Sequence, residues 1–215
     1  MMYTSIRRQL VTGFCILGLS FAPTPTRATG DTFKRSAELG KRTAKTSDDV
    51  DKYVAQLDKT EQALSSVGQA QGKDLKKRYE SFSKELDSLE AAQKQVTSDI
   101  DEMKSTGSEY FSVWGTSIAQ MSNPELKQTS TERRSKIMKD HDDLAASLND
   151  IASQLQPFMS TLRDLKAFME TDLSPENIGK ASAMIQKSQS DALALKGKIA
   201  GVQTTLKQFL NEAPK

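Results

Sequence analysis

The chain has 215 residues, of which 27% are charged and only 6% aromatic, with 11 glycines, six prolines, a single cysteine and a formal charge of +2. Alternating apolar and polar runs are absent, which argues against a sandwich, a barrel or an α/β domain and suits extended helices. The length allows one domain with a substantial core, or a long, thin bundle.

Residues 1–28 read as a secretory signal peptide. Arg7 and Arg8 form a basic start, Leu10 to Ala22 an apolar stretch, and Thr26-Arg27-Ala28 puts small residues at −3 and −1 of a cleavage site after Ala28. Retention as an anchor is the lesser expectation, because a span needs roughly 20 apolar residues. Phe14 stands where a small residue normally precedes a lipid-modified cysteine, which argues against lipidation at Cys15. The predicted location is therefore periplasmic or secreted, with no stable membrane span after cleavage. The signal holds three of the 30 basic residues and no acid, so residues 29–215 carry 27 basic and 28 acidic side chains, a formal −1. General attraction to nucleic acid or anionic lipid loses its support. The cysteine is also lost, and with it any disulfide or thiolate chemistry.

The first helix is predicted from Asp31 to about Val67, on Phe33, Ala37, Gly40, Ala44, Val50, Val54, Leu57, Leu64 and Val67. Its first half is weakly apolar, and fraying is expected before about Ser47. Gly68 to Gly72 breaks the pattern, and Asp74 then sits where a helix dipole favours a carboxylate. The second helix, from Lys73 to Met121, carries Leu75, Tyr79, Phe82, Leu86, Leu89, Val96, Ile100, Met103, Tyr110, Trp114 and Met121 on alternating steps of four and three, interrupted only by Gln93 and Gly107. At 1.5 Å per residue it would be roughly 70 Å long.

Asn123-Pro124-Glu125 is a strong start signal for the third helix: an N-cap, a proline at the first position and an acid in the first turn. Its stripe is Ile137, His141, Leu144, Leu148, Ile151, Leu155, Phe158, Leu162, Leu165 and Met169, with a kink expected at Pro157. Ser174-Pro175-Glu176 opens the fourth, which runs on Ile178, Ala181, Ile185, Ser188, Ala192, Leu195, Ile199, Val202, Leu206 and Phe209 and ends near Asn211. The expected fold is all-α: an elongated up-down bundle of four long helices with coiled-coil-like seams, a single domain over residues 29–215. Such stripes are also compatible with a homo-oligomer such as a dimer.

No residue set points to catalysis, a cofactor or a metal. His141 is the only histidine, and Met138 stands where a Glu-x-x-His di-iron motif needs its acid. It reads as a polar seam residue hydrogen-bonded between helices. Serine, cysteine and phosphate-loop chemistries lack their partners. The acid clusters Asp48-Asp49-Asp51 and Asp99-Asp101-Glu102 do not follow a Ca²⁺-loop spacing and are expected on solvated faces. The basic runs Lys73-Lys76-Lys77-Arg78 and Arg133-Arg134-Lys136-Lys139 are interleaved with acids and read as polar helix faces near opposite ends of a hairpin.

Several segments together resemble a bacterial exported helical family catalogued as domain of unknown function 2959. They are Tyr110-Phe-Ser-Val-Trp-Gly115, the Ser-Asn-Pro-Glu-Leu turn ending at Leu126, Arg133-Arg134, Leu155-Gln-Pro-Phe-Met159 with Leu162, Leu165 and Lys166, and the Gly72-to-Tyr79 entry. The resemblance covers roughly Phe33 to Leu210 and implies export and a helical fold, but no activity. Family members usually carry an acid directly after the tryptophan, where this chain has Gly115, so a role for that acid does not transfer. The expected function is a non-enzymatic, structural or protein-interaction role in the cell envelope, with an unidentified envelope protein as partner. The alternative is a binding module or holdase-type chaperone clamping clients or lipid between helices, favoured by the weak first half of the first helix. A pore-former would need a long apolar tongue, which is missing.

Overall fold

A computed structural model describes residues 28–70 and 73–213. The predicted signal segment, and Cys15 with it, lies outside the described residues except for Ala28. Four helices account for nearly all of the described chain: α1 (Ala28–Gly68), α2 (Asp74–Ala119), α3 (Pro124–Thr171) and α4 (Pro175–Glu212). No strand occurs among the described residues.

The start signals act as the sequence predicts. The Asn123 side chain accepts hydrogen bonds from the Glu125 and Leu126 amides, both at 3.0 Å, and Ser174 Oγ accepts from the Asn177 amide at 3.2 Å. Both caps satisfy amides that a helix start leaves without partners. α3 runs through Pro157 without ending.

Each helix packs antiparallel on its chain neighbour, and α4 closes the ring against α1. Ion pairs mark the register of each seam: Arg35 with Glu109 at 2.5 Å between α1 and α2, Arg163 with Glu90 at 2.6 Å between α2 and α3, Lys136 with Glu212 at 2.5 Å between α3 and α4, and Lys196 with Asp58 at 2.6 Å between α4 and α1. One continuous apolar core runs inside, from Leu39 through Phe82, Met103, Leu144, Leu162 and Ile199 to Phe209.

Three expectations need correction. The first half of α1 does not fray, and its buried face is offset by one position from the predicted stripe. Phe33 is 69% exposed, while Ser36, Leu39, Thr43, Thr46 and Ser47 face inward, in phase with Val50, Tyr53 and Leu57. Small side chains at these positions let α1 approach α2 more closely than any other pair of helices approaches. Hydroxyls and an amide then reach the neighbouring backbone: Thr46 donates to the Asp99 carbonyl at 3.3 Å, and Thr60 and Gln56 both donate to the Glu85 carbonyl at 3.1 Å. This seam is polar and tight where hydropathy alone suggested a loose end.

The second correction concerns α2, which stops at Ala119. Ile118 fills the last core position, and Met121 is exposed. Gln93 and Gly107, which interrupt the apolar series, are both buried within it.

The third concerns the acid clusters. Asp48, Asp51, Asp101 and Glu102 are exposed as expected, but Asp49 and Asp99 are buried. Lys45 Nζ bridges the two, 2.9 Å from Asp49 Oδ2 and 2.5 Å from Asp99 Oδ1, and Lys52 closes on Asp49 Oδ1 at 2.6 Å. Two buried carboxylates are tolerable here because cations and Gln95, 3.1 Å from Asp99 Oδ1, satisfy most of their oxygens. The Asp99 carboxyl beside it, followed by Lys52 and Lys45, holds the Asp49 carboxyl well below the usual range.

Candidate functional site

The interior offers little room for a ligand. Its central cavity, among Val50, Tyr53, Ile100, Leu148, Leu155 and Val202, is only about 20 Å³, the space of one water molecule. The Tyr53 hydroxyl is enclosed here without a hydrogen-bond partner, and burial pushes its pKa upward.

A groove of about 680 Å³ runs along the α2–α3 seam, within the range typical of small-molecule sites. Helical spacing builds it. Lys104, Ser108, Phe111 and Ser112 lie on one face of α2, and Arg134, Met138, His141 and Ala145 on the facing side of α3. Ser108, Ser112, Ala145 and Ala146 are too small to fill the space between the two helices.

His141 forms the floor and is almost wholly buried. Its Nε2 lies 3.4 Å from the Met103 carbonyl, which can only accept, so this nitrogen carries the hydrogen in that contact. Nδ1 faces the Asp142 carboxylate at 3.2 Å. The ring fits because residue 107 is glycine: a Cβ built there would fall 2.2 Å from Nε2. Phe111 meets the imidazole edge-on at 5.5 Å between centroids, and Phe209 of α4 lies 5.9 Å away.

Next to this floor stands the aromatic corner. Tyr110 stacks at a tilt on Phe111 and Trp114, with centroids 5.0 and 5.4 Å away. The Trp114 indole N–H donates to Ser130 Oγ at 3.2 Å, pinning the end of α2 to the first turns of α3. Burial pushes the Tyr110 hydroxyl up to about 12, against a hydrogen bond from Ser36. These rings are core, with the indole only 8% exposed.

Arg134 is the residue that reading the sequence as a solvated basic run misplaces. Lys136 and Lys139 in that run are ion-paired, with Asp140 and Glu212 and with Asp143 respectively. Arg134 instead turns into the seam, where its Nε donates to the Phe111 carbonyl at 2.8 Å. Its guanidinium lies against Gly115, with Nε 3.4 Å from the position a Cβ would take. The absent side chain at 115 is the only sequence signal of this arrangement. The other basic run lies at the far end of the bundle, where Arg78 donates to the Ser66 carbonyl at 3.2 Å.

Among the described residues no helix is long and apolar enough to cross a membrane, and no three His, Cys, Asp or Glu side chains are placed to share a metal ion. Fold and groove define the class: an antiparallel all-α four-helix bundle with polar locks between helices and mixed-charge grooves along its seams. Within that class, the chain belongs to the family described as "Protein of unknown function (DUF2959)", whose model matches residues 32–212, all but the first turn of the four helices. No curated protein and no solved structure matches the chain.

Proposed function

We propose that the protein is a non-enzymatic, exported helical-bundle protein with a structural or protein-interaction role in the bacterial cell envelope. The observation that supports this is where the fold spends its buried polar groups. Lys45, Asp49 and Asp99 join α1 to α2, Glu61 and Ser188 join α1 to α4, and His141 joins α3 to α2. The chain's polar chemistry goes into holding helices together along a rod of roughly 70 Å.

A holdase that clamps clients between arms needs an unpacked stretch of helix. The first half of α1 is buried against α2, so that reading loses the feature that favoured it. Crosslinking in the native envelope, followed by identification of captured proteins, tests the proposal. Recovery of an envelope component supports it, and recovery of self-contacts alone counts against it. Fractionation tests export: a chain with residues 1–28 intact that stays in the cytoplasm defeats that half of the reading.

A further inference from the structure

The α2–α3 groove holds a half-buried guanidinium that meets no carboxylate among the described residues. Most seam cations meet carboxylates: Lys45, Arg35, Arg42, Arg163, Lys136 and Lys196 are all ion-paired, while Arg78 and Lys198 meet a carbonyl and an amide oxygen. Arg134 is half-buried, and no carboxylate among the described residues pairs with it. Its Nε is tied to the Phe111 carbonyl, which fixes the plane of the guanidinium and leaves both terminal nitrogens without acceptors among the described residues.

A guanidinium held this way is pre-organised for a planar, two-oxygen anion, and its ordering cost is already met within the fold. Gly115 lets the guanidinium lie directly on the α2 surface, since Nε, Cζ and one terminal nitrogen sit 3.4–3.5 Å from where a Cβ would be. From Arg134 the groove continues past Phe111, Met138 and Ala145 toward Lys104, whose only acid is Asp101 at 3.8 Å. The α2 residues that line it, Lys104 to Ser112, span roughly 12 Å of helix axis. Asp142 is the one carboxylate in the lining; it faces His141 Nδ1 and is largely exposed.

We infer that this groove is a binding site for a small amphipathic carboxylate, its head on the Arg134 guanidinium and its apolar body along Phe111, Met138 and Ala145. The inference goes beyond the envelope role and does not depend on it, because it concerns the purified chain alone.

Titration calorimetry on the full chain with decanoate tests it, with decanol and inorganic phosphate as separate probes. Decanoate is expected to bind saturably at one site, at least about tenfold more tightly than either probe, since a charge-assisted bidentate pair is worth that much. Arg134→Met is expected to weaken decanoate by about tenfold or more, and Arg133→Met to leave it unchanged. Gly115→Glu provides a second arm. It sets a carboxylate of α2 beside the guanidinium of α3, and should block decanoate while the melting temperature is kept. The inference is overturned if decanoate shows no saturable binding, if decanol or phosphate binds as tightly, or if both variants bind like the parent.

Discussion

Gly107 and His141 occupy one shared volume: the imidazole sits where a side chain at 107 would begin, with Nε2 only 2.2 Å from the missing Cβ. Gly107→Ala should therefore destabilise the bundle by about 1–3 kcal/mol, because the steric cost of overpacking exceeds the better helix propensity of alanine. Adding His141→Ala to Gly107→Ala should recover part of the loss, as expected for residues that touch. Urea melts of the two single variants and the double variant check this. Strict additivity would separate the two sites.

Trp114→Ala should lower stability by about 3–4 kcal/mol, since the indole is packed against Tyr110 and nearly buried. Ser130→Ala removes only the acceptor for the indole N–H and should cost about 1 kcal/mol. A Trp114→Ala chain that melts at the parent's temperature would assign the ring to the surface instead.

Glu61 links stability to pH in one direction. Burial at the α1–α4 seam raises its carboxyl from 4.5 to about 7, against the Ser188 hydrogen bond and the charge of Lys196. A carboxyl raised in the folded state favours the protonated form. The stability it contributes is full below 4.5 and is lost as pH rises through about 7. Partial exposure screens the effect to about 1–2 kcal/mol. Glu61→Gln mimics the protonated form, so it should raise the melting temperature at pH 8 and leave it unchanged at pH 4. An equal effect at both values would contradict the linkage.

The Asp49 carboxyl has the opposite sign. It is held below its ordinary value of 3.8 by Asp99, Lys52 and Lys45, so its contribution is present above that value and declines as pH falls through the lower, folded one. Lys45→Met leaves Asp49 and Asp99 adjacent without their bridging ammonium. It should lower the melting temperature at pH 7 and matter less near pH 3, where a proton can replace the lost cation. Thermal melts at the two values decide this, and a pH-independent loss would mean that Lys45 acts through packing.

Much of this molecule is written in short-range signals. Asn123-Pro124 and Ser174-Pro175 place two helix starts because caps are local chemistry, and the α2 stripe from Leu75 to Trp114 reports burial directly. What escaped was burial without hydrophobicity. Ser36, Thr43 and Thr46 are hidden because a close helix approach lets small polar side chains find backbone acceptors, and a stripe of apolar letters does not record that. Asp49 and Asp99 look solvated in sequence because their bridging cation belongs to another turn or another helix. Arg134 looks like one more member of a basic run until α2 is laid beside it.

The close contact between α1 and α2 also distributes resilience unevenly along the chain. These helices are joined through a connection of a few residues, whereas the α1–α4 seam ties Asp58 to Lys196 across 138 positions. Closing the first loop costs little chain entropy and closing the second costs more. The hairpin of α1 and α2 should thus behave as the durable half of the molecule, with its inward amides among the last to exchange with deuterium. α4 is the clasp: the rod opens along its edge first, and a partner that stiffens the bundle gains most by gripping there.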